Sequence, residues 1–271
     1  MLKNIEIYLY NYIVGQESFD PESFRQAVRY YQEFLIKNRN NPTGYGNLGF
    51  CYFYLKDYKR AIESYQKAVQ YNPNYYTYNW DVGMIYFYLK NYEKATAYLQ
   101  KAVDQIPPTI AYYVKLGEKL QSRGKTEKEQ LPYVFIQQAE DDENRAYELL
   151  IQCYLYVKEY SVMREIAVLG LRSHPTNQKL LYYAGLANVM MKKYNAAILY
   201  FDQLLALNPD YLQAYYYRGV CFEKTNRHDE ARKNWAKVAG QDFPPEFEAL
   251  SMNKINLHLN SGIQALEIQT K

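Results

Sequence analysis

Residues 42–245 repeat one pattern six times, each copy starting 34 residues after the last, at 42, 76, 110, 144, 178 and 212. A chain with that period does not close around one globular core. Each copy is too small to bury its own apolar face, so stability has to come from stacking on its neighbours. The first copy, 42–75, shows the grammar: Tyr45, Leu48, Gly49 and Tyr52 follow the i, i+3, i+4, i+7 spacing of one helical stripe. Ala61, Tyr65 and Ala68 form a second stripe. Two helices are therefore predicted, with Gly49 and Ala61 small where the backbones approach and rings filling the space they leave. Pro73 reads as the end of the second helix.

Later copies keep this grammar with substitutions. Gly83, Ala95, Leu99, Ala102 and Pro107 mark the second, Gly185, Ala197, Phe201 and Pro209 the fifth, and Gly219, Ala231 and Trp235 the sixth. In the fourth, Ile151 and Met163 replace the small residues, and looser packing is expected there. The third, 110–143, is degenerate: Glu129 stands at a small place and Pro132 inside the second helix, where a proline costs about 3 kcal/mol. A kinked or restarted helix is expected near Pro132, a candidate hinge between sub-arrays.

These residues and their spacing resemble the tetratricopeptide repeat, a two-helix unit, over residues 42–245 of 271. The resemblance implies an all-α fold, a right-handed superhelical solenoid of helix-turn-helix repeats. Residues 1–41 read as a helical pair forming a further imperfect repeat, with one helix over 2–14 and another starting at Asp20-Pro21-Glu22 and carrying Ala27, Tyr31 and Phe34 in register. Residues 246–271 read as a capping helix and a tail.

Composition narrows the function classes. With 32 basic and 29 acidic residues the net charge is +3, too balanced for a nucleic-acid footprint. No stretch reaches the roughly 18–20 apolar residues of a membrane span. Glu6 and Asn11 interrupt the N-terminal apolar run, which argues against a signal peptide. The expected location is cytoplasmic. Cys51, Cys153 and Cys221 all fall on the tenth place of their copies and read as small packing residues. His174, His228 and His258 stand alone, so no metal or cofactor is expected. Gly124-Lys125-Thr126 lacks the leading glycine of a phosphate loop. Glu140, Asp141, Asp142 and Glu143 read as a solvated loop at a helix N-terminus. No nucleophile with a base and no convergent carboxylate pair can be placed, so an enzyme is not expected.

What remains is a surface. Phe50, Phe53 and Tyr54 lie a third to half a turn away from the packing stripe of their helix, and a helix apolar all round needs a second partner. Because the chain resembles a tetratricopeptide array, the first helix of each copy should line a concave groove through its second, fifth, ninth, twelfth and thirteenth places. That implies Phe50, Phe53 and Tyr54 from the first copy, and Trp80, Met84, Phe87 and Tyr88 from the second. Tyr182, Leu186, Val189 and Met190 follow from the fifth and Tyr216 from the sixth, with a polar middle at Glu118, Gln121, Arg145, Glu148 and Gln152. Gly46 and Phe50 stand where the family's carboxylate-clamping branch has Lys and Asn, so an acidic C-terminus is not the expected ligand. The expected role is an adaptor that holds a protein segment or amphipathic helix by apolar anchors. The alternative is a self-assembling scaffold, a homo-oligomer or a groove filled by the chain's own C-terminal segment.

Overall fold

The structure is a computed structural model that describes residues 21–122 and 126–238. Among these residues there are eleven α-helices and no strand. The chain divides into two compact units, Met1–Lys158 and Glu159–Lys271. The first holds α1 (Pro21–Lys37), α2 (Pro42–Tyr54), α3 (Tyr58–Tyr71), α4 (Tyr76–Tyr88), α5 (Tyr92–Gln121) and α6 (Thr126–Tyr156). The second holds α7 (Tyr160–Ser173), α8 (Gln178–Met190), α9 (Tyr194–Leu207), α10 (Leu212–Lys224) and α11 (His228–Val238). Within each unit every helix packs on the next in sequence. None is long and apolar enough to cross a membrane. The expected helices over 2–14 and after 246 lie outside the described residues.

The regular copies are built as their stripes require. In α1 the buried residues are Phe24, Ala27, Val28, Tyr31 and Leu35, one face of the helix. The eighth-place glycines sit against the large residue of the partner helix. A β-carbon added to Gly49 would lie 2.9 Å from the Tyr65 ring, and on Gly185 or Gly219 it would lie 2.6 Å from Phe201 or 2.5 Å from Trp235. In the fourth copy the sizes are exchanged, Ile151 and Met163 large and Ala167 small, and all three are wholly buried.

The turns are as regular as the helices. Lys56, Lys90, Lys158, Lys192 and Asn226, all at the fifteenth place, adopt left-handed φ of 59–63°. At the first of them Lys56 N–H donates to Phe53 C=O and Asp57 N–H to Tyr52 C=O, the paired bonds that close a helix C-terminus. The next helix is then capped by a side chain: Asp57 accepts from Arg60 N–H at 3.1 Å and Asn91 from Lys94 N–H at 3.2 Å.

The middle of the chain departs from the two-helix grammar. Helix α5, 30 residues long, runs through Pro107 and Pro108, and α6, 31 residues long, runs through Pro132. So the second helix of copy two and the first of copy three are one rod, as are the second of copy three and the first of copy four. Each spans about 45 Å. The rods pair antiparallel in one register: Tyr92 stacks on Tyr156 at 4.3 Å, and Tyr113 on Phe135 at 4.9 Å.

Two local facts explain why Pro107 does not end a helix as Pro73 does. At the other junctions a polar residue stands before the proline, and Asn208 closes a turn by accepting from Asp210 N–H at 3.1 Å. Its equivalent is Ile106, which offers no such acceptor and is wholly buried. An interior proline costs about 3 kcal/mol. Beyond Pro108 the rod stays packed on α6, with Tyr113 stacked on Phe135 at 4.9 Å, and this tertiary packing overrides the local propensity.

Two further expectations are corrected by the same rods. Of the kinked or restarted helix expected near Pro132, the restart is ruled out, since Pro132 lies inside α6, and the boundary between units falls after Lys158. The acidic run 140–143 is not a solvated loop but the middle of α6. Asp142 accepts from Tyr76 Oη at 2.8 Å, and the buried Glu143 accepts from Tyr147 Oη at 3.3 Å.

Candidate peptide-binding cleft

A cavity of about 490 Å³ opens in the first unit between α2, α3 and α4. Gly46 and Phe50 of α2 form one wall, and Tyr65 of α3 lies opposite. Tyr75, at the turn before α4, and Tyr78 and Asp81 of α4 complete it. Gly46 leaves its side-chain space to a ring of α4. Its neighbour Tyr78 already stands so close that an added β-carbon would lie 2.6 Å from the ring. A second cavity, about 660 Å³, shares Asn72 and Tyr75 with the first and continues along α5 past Asp104, Gln105, Tyr112 and Tyr113. Tyr75 is 42% exposed and Tyr112 62%, so the common rim presents rings to solvent.

Asp81 gives this cleft its electrostatic character. The Tyr65 hydroxyl donates to its carboxylate from α3. Burial nevertheless pushes the Asp81 carboxyl up from 3.8 to about 7; the Tyr65 bond opposes that rise and the negative charge of Asp142 adds to it. Sixth-place residues have a general role in joining a copy to the one before: Asn47 Nδ2 donates to Tyr31 Oη at 3.0 Å in the same way. Tyr31 thus holds the twenty-fourth place of the imperfect repeat that precedes residue 42.

The residues expected to line a groove divide into three groups. Phe50, Phe53 and Tyr54 are half-buried, because α1 reaches them: Phe24 lies 5.2 Å from Tyr54 and 6.2 Å from Phe50. Of the second copy, Trp80 and Met84 are half-buried, Phe87 packs on Tyr92 at 5.6 Å and on Tyr156 at 6.3 Å, and Tyr88 is 64% exposed. In the second unit the expectation fails for Tyr182, Leu186 and Tyr216, which are buried, while Val189 and Met190 are half-buried. Tyr182 is enclosed by Tyr211 at 5.6 Å, Tyr217 at 6.1 Å and Phe201 at 6.4 Å. Those three rings occupy the places that Tyr75, Asp81 and Tyr65 hold in the first unit. Tyr182 itself takes the place of Gly46. What is a cavity between copies one and two is a filled core between copies five and six.

The remaining candidates are structural. Cys51, Cys153 and Cys221 are wholly buried, and burial pushes each thiol up to about 12, far from a reactive thiolate. Among the described residues no group of three or more His, Cys, Asp or Glu could hold a metal ion. Gly124, Lys125 and His258 lie outside those residues. Sequence reasoning missed Gly46, Tyr75 and Asp81 as cleft residues. The signal that could have found them is the comparison of like places between copies, where Gly46 stands against Tyr182 and Asp81 against Tyr217.

Residues 42–75, 76–108 and 184–246 each match the tetratricopeptide repeat. The chain is a tetratricopeptide repeat protein. Among solved structures, its fold is similar to that of YrrB, a TPR protein with an unusual peptide-binding site, at a TM-score of 0.55 and 13% identity, covering 77% of this chain and 90% of that one. A crystal structure of MamA is similar at a TM-score of 0.55 and 17% identity, with 75% and 98% covered. A second MamA structure gives 0.53 and 18%, with 70% and 92% covered. At these identities the likeness carries the tetratricopeptide fold alone, and it extends over most of the chain.

Proposed function

We propose that this protein is a non-enzymatic adaptor of the cytoplasm that holds an extended segment of a partner protein in the aromatic cleft of its first unit. The observation that carries the reading is the pair of adjoining cavities lined by Tyr75, Tyr78, Tyr112 and Tyr113. Rings supply large contact area at low conformational cost, and a cleft already formed in the free chain needs little reorganisation to bind. A peptide-binding site is described for YrrB, whose fold this chain shares. The half-buried Trp80, Met84 and Phe87 extend the apolar surface along α4.

Selection of a displayed random-peptide library on the full chain tests this. Selected peptides should bind the wild type and lose about tenfold or more in affinity on the Tyr75→Ala/Tyr112→Ala variant. Both side chains are largely exposed, so the fold should survive by circular dichroism. Peptides that bind the variant as tightly as the wild type would sink the proposal. A second reading, self-association, is favoured by Val134 and Phe135, exposed on α6. Light scattering on the full chain decides it: a dimer that Val134→Asp/Phe135→Asp makes monomeric supports that reading, and a monomer removes it.

A further inference from the structure

The junction between copies one and two differs from that between copies five and six in the chemistry of its walls. Between copies five and six, one large side chain, Tyr182, lies among Phe201, Tyr211 and Tyr217. Between copies one and two the corresponding residues are Gly46, Tyr65, Tyr75 and Asp81; the Tyr78 ring takes the space beside Gly46, and a cavity of about 490 Å³ remains next to it. Two walls keep their rings, or nearly so, while the third changes from a phenol to a carboxylate. The second cavity repeats the theme with Asp104 beside Tyr112 and Tyr113. Among the described residues lining the two cavities there are two aspartates and no lysine, arginine or histidine. We infer that the first junction takes a lysine or arginine side chain of the partner segment, lying on Tyr75 and Tyr78 with its charge against Asp81.

This rests on the cleft being the binding site and names the chemistry that it selects. A cation over an aromatic face is attracted by the ring quadrupole, more strongly when desolvated, and a half-buried carboxylate beside it gives the charge complementarity that sets specificity. Around Asp81 the facing groups are Tyr65 from α3, Asp142 from α6 and Tyr78 from its own helix, and none is cationic. A bound guanidinium or ammonium favours the ionised carboxylate. Binding should therefore release a proton below the free group's titration and tighten as pH rises from about 6 to about 8.

Peptides selected on the full chain, remade with fluorescent labels, provide the test by anisotropy titration. The selected pool should be enriched in lysine or arginine. Replacing that residue by glutamine should weaken binding about tenfold, and Asp81→Asn should weaken the cationic peptide by a similar factor while leaving its glutamine version unchanged. Asparagine keeps an acceptor for Tyr65, so the variant should retain the wild-type circular dichroism. If the peptides lack a cation, or bind Asp81→Asn undiminished, and still depend on Tyr75 and Tyr112, the cationic anchor is overturned while the cleft stands. If no selected peptide depends on those two tyrosines, both are overturned.

Discussion

The junction between copies one and two and that between copies five and six use the same helices at the same places, yet one leaves a cavity of about 490 Å³ and the other closes on a tyrosine. Three places differ: Gly46 stands against Tyr182, Asp81 against Tyr217, and Tyr78 against Ala214. The lesson is that a repeat's binding capacity here is set by which side chains stand at fixed places. The ring that packs beside the first helix comes from Tyr78 of the next copy, and a carboxylate stands where Tyr217 places a ring.

The largest effect expected from breaking this comparison is in the filled junction. Tyr182→Ala removes a buried ring from among three others, and substitutions of that kind cost about 3–5 kcal/mol. Urea unfolding of the full chain should show the loss, whereas Tyr75→Ala in the open junction, exposed at its rim, should cost less than about 1 kcal/mol. If the space left by Tyr182 resembles the natural cavity, phenol in solution should occupy it and raise the melting temperature of Tyr182→Ala but not of the wild type. Equal losses for the two variants would show that the two junctions are not the filled and open forms of one site.

A smaller effect separates the carboxylate from the phenol. Because burial raises the folded-state value of Asp81 from 3.8 to about 7, the folded protein binds a proton more readily than the unfolded chain. The stability that the protonated group permits is fully present below about pH 4 and is lost as pH rises through about 7. Asp81→Asn should match the wild type near pH 4 and be more stable near pH 8 by about 2 kcal/mol, roughly half of what the full shift corresponds to, because Asp81 is partly open to solvent. Denaturant titrations at the two pH values check this, and a constant difference between the proteins would remove Asp81 as the source. The second unit, with Tyr217 at that place, supplies no such change.

Much of this was legible in the sequence, but at uneven depth. The stripe at Tyr45, Leu48, Gly49 and Tyr52 and the close packing at Gly49, Gly185 and Gly219 follow from periodicity and size, which are local properties of the chain. The rods α5 and α6 were not legible, because Pro107 and Pro132 are read locally as breakers, whereas the pairing of the two rods, Tyr92 on Tyr156 and Tyr113 on Phe135, joins residues far apart in sequence. For the same reason the acidic run at 140–143 looked like a loop. The cleft was half legible. The register placed Phe50 near it, but helical spacing does not say that Tyr65, Tyr75 and Asp81 converge from three elements, nor that Phe24 comes to rest against Phe50 and Tyr54.

The least costly contrast lies in the turns, which both units share. Lys56 and Lys192 hold φ of 62° and 59° at the ends of α2 and α8, a conformation that costs a residue with a β-carbon roughly 1 kcal/mol. Glycine removes that strain but gives the unfolded chain more freedom to lose. The net expectation for Lys56→Gly or Lys192→Gly is a gain of about 0.5 kcal/mol, read as a small rise in the urea midpoint at unchanged slope. Because the same closing bonds, Lys56 N–H to Phe53 C=O and Lys192 N–H to Val189 C=O, are present at both turns, the two gains should agree. Agreement here beside the wide divergence of Tyr182→Ala and Tyr75→Ala would locate the difference between the units in the side chains at the junctions and not in the backbone that carries them.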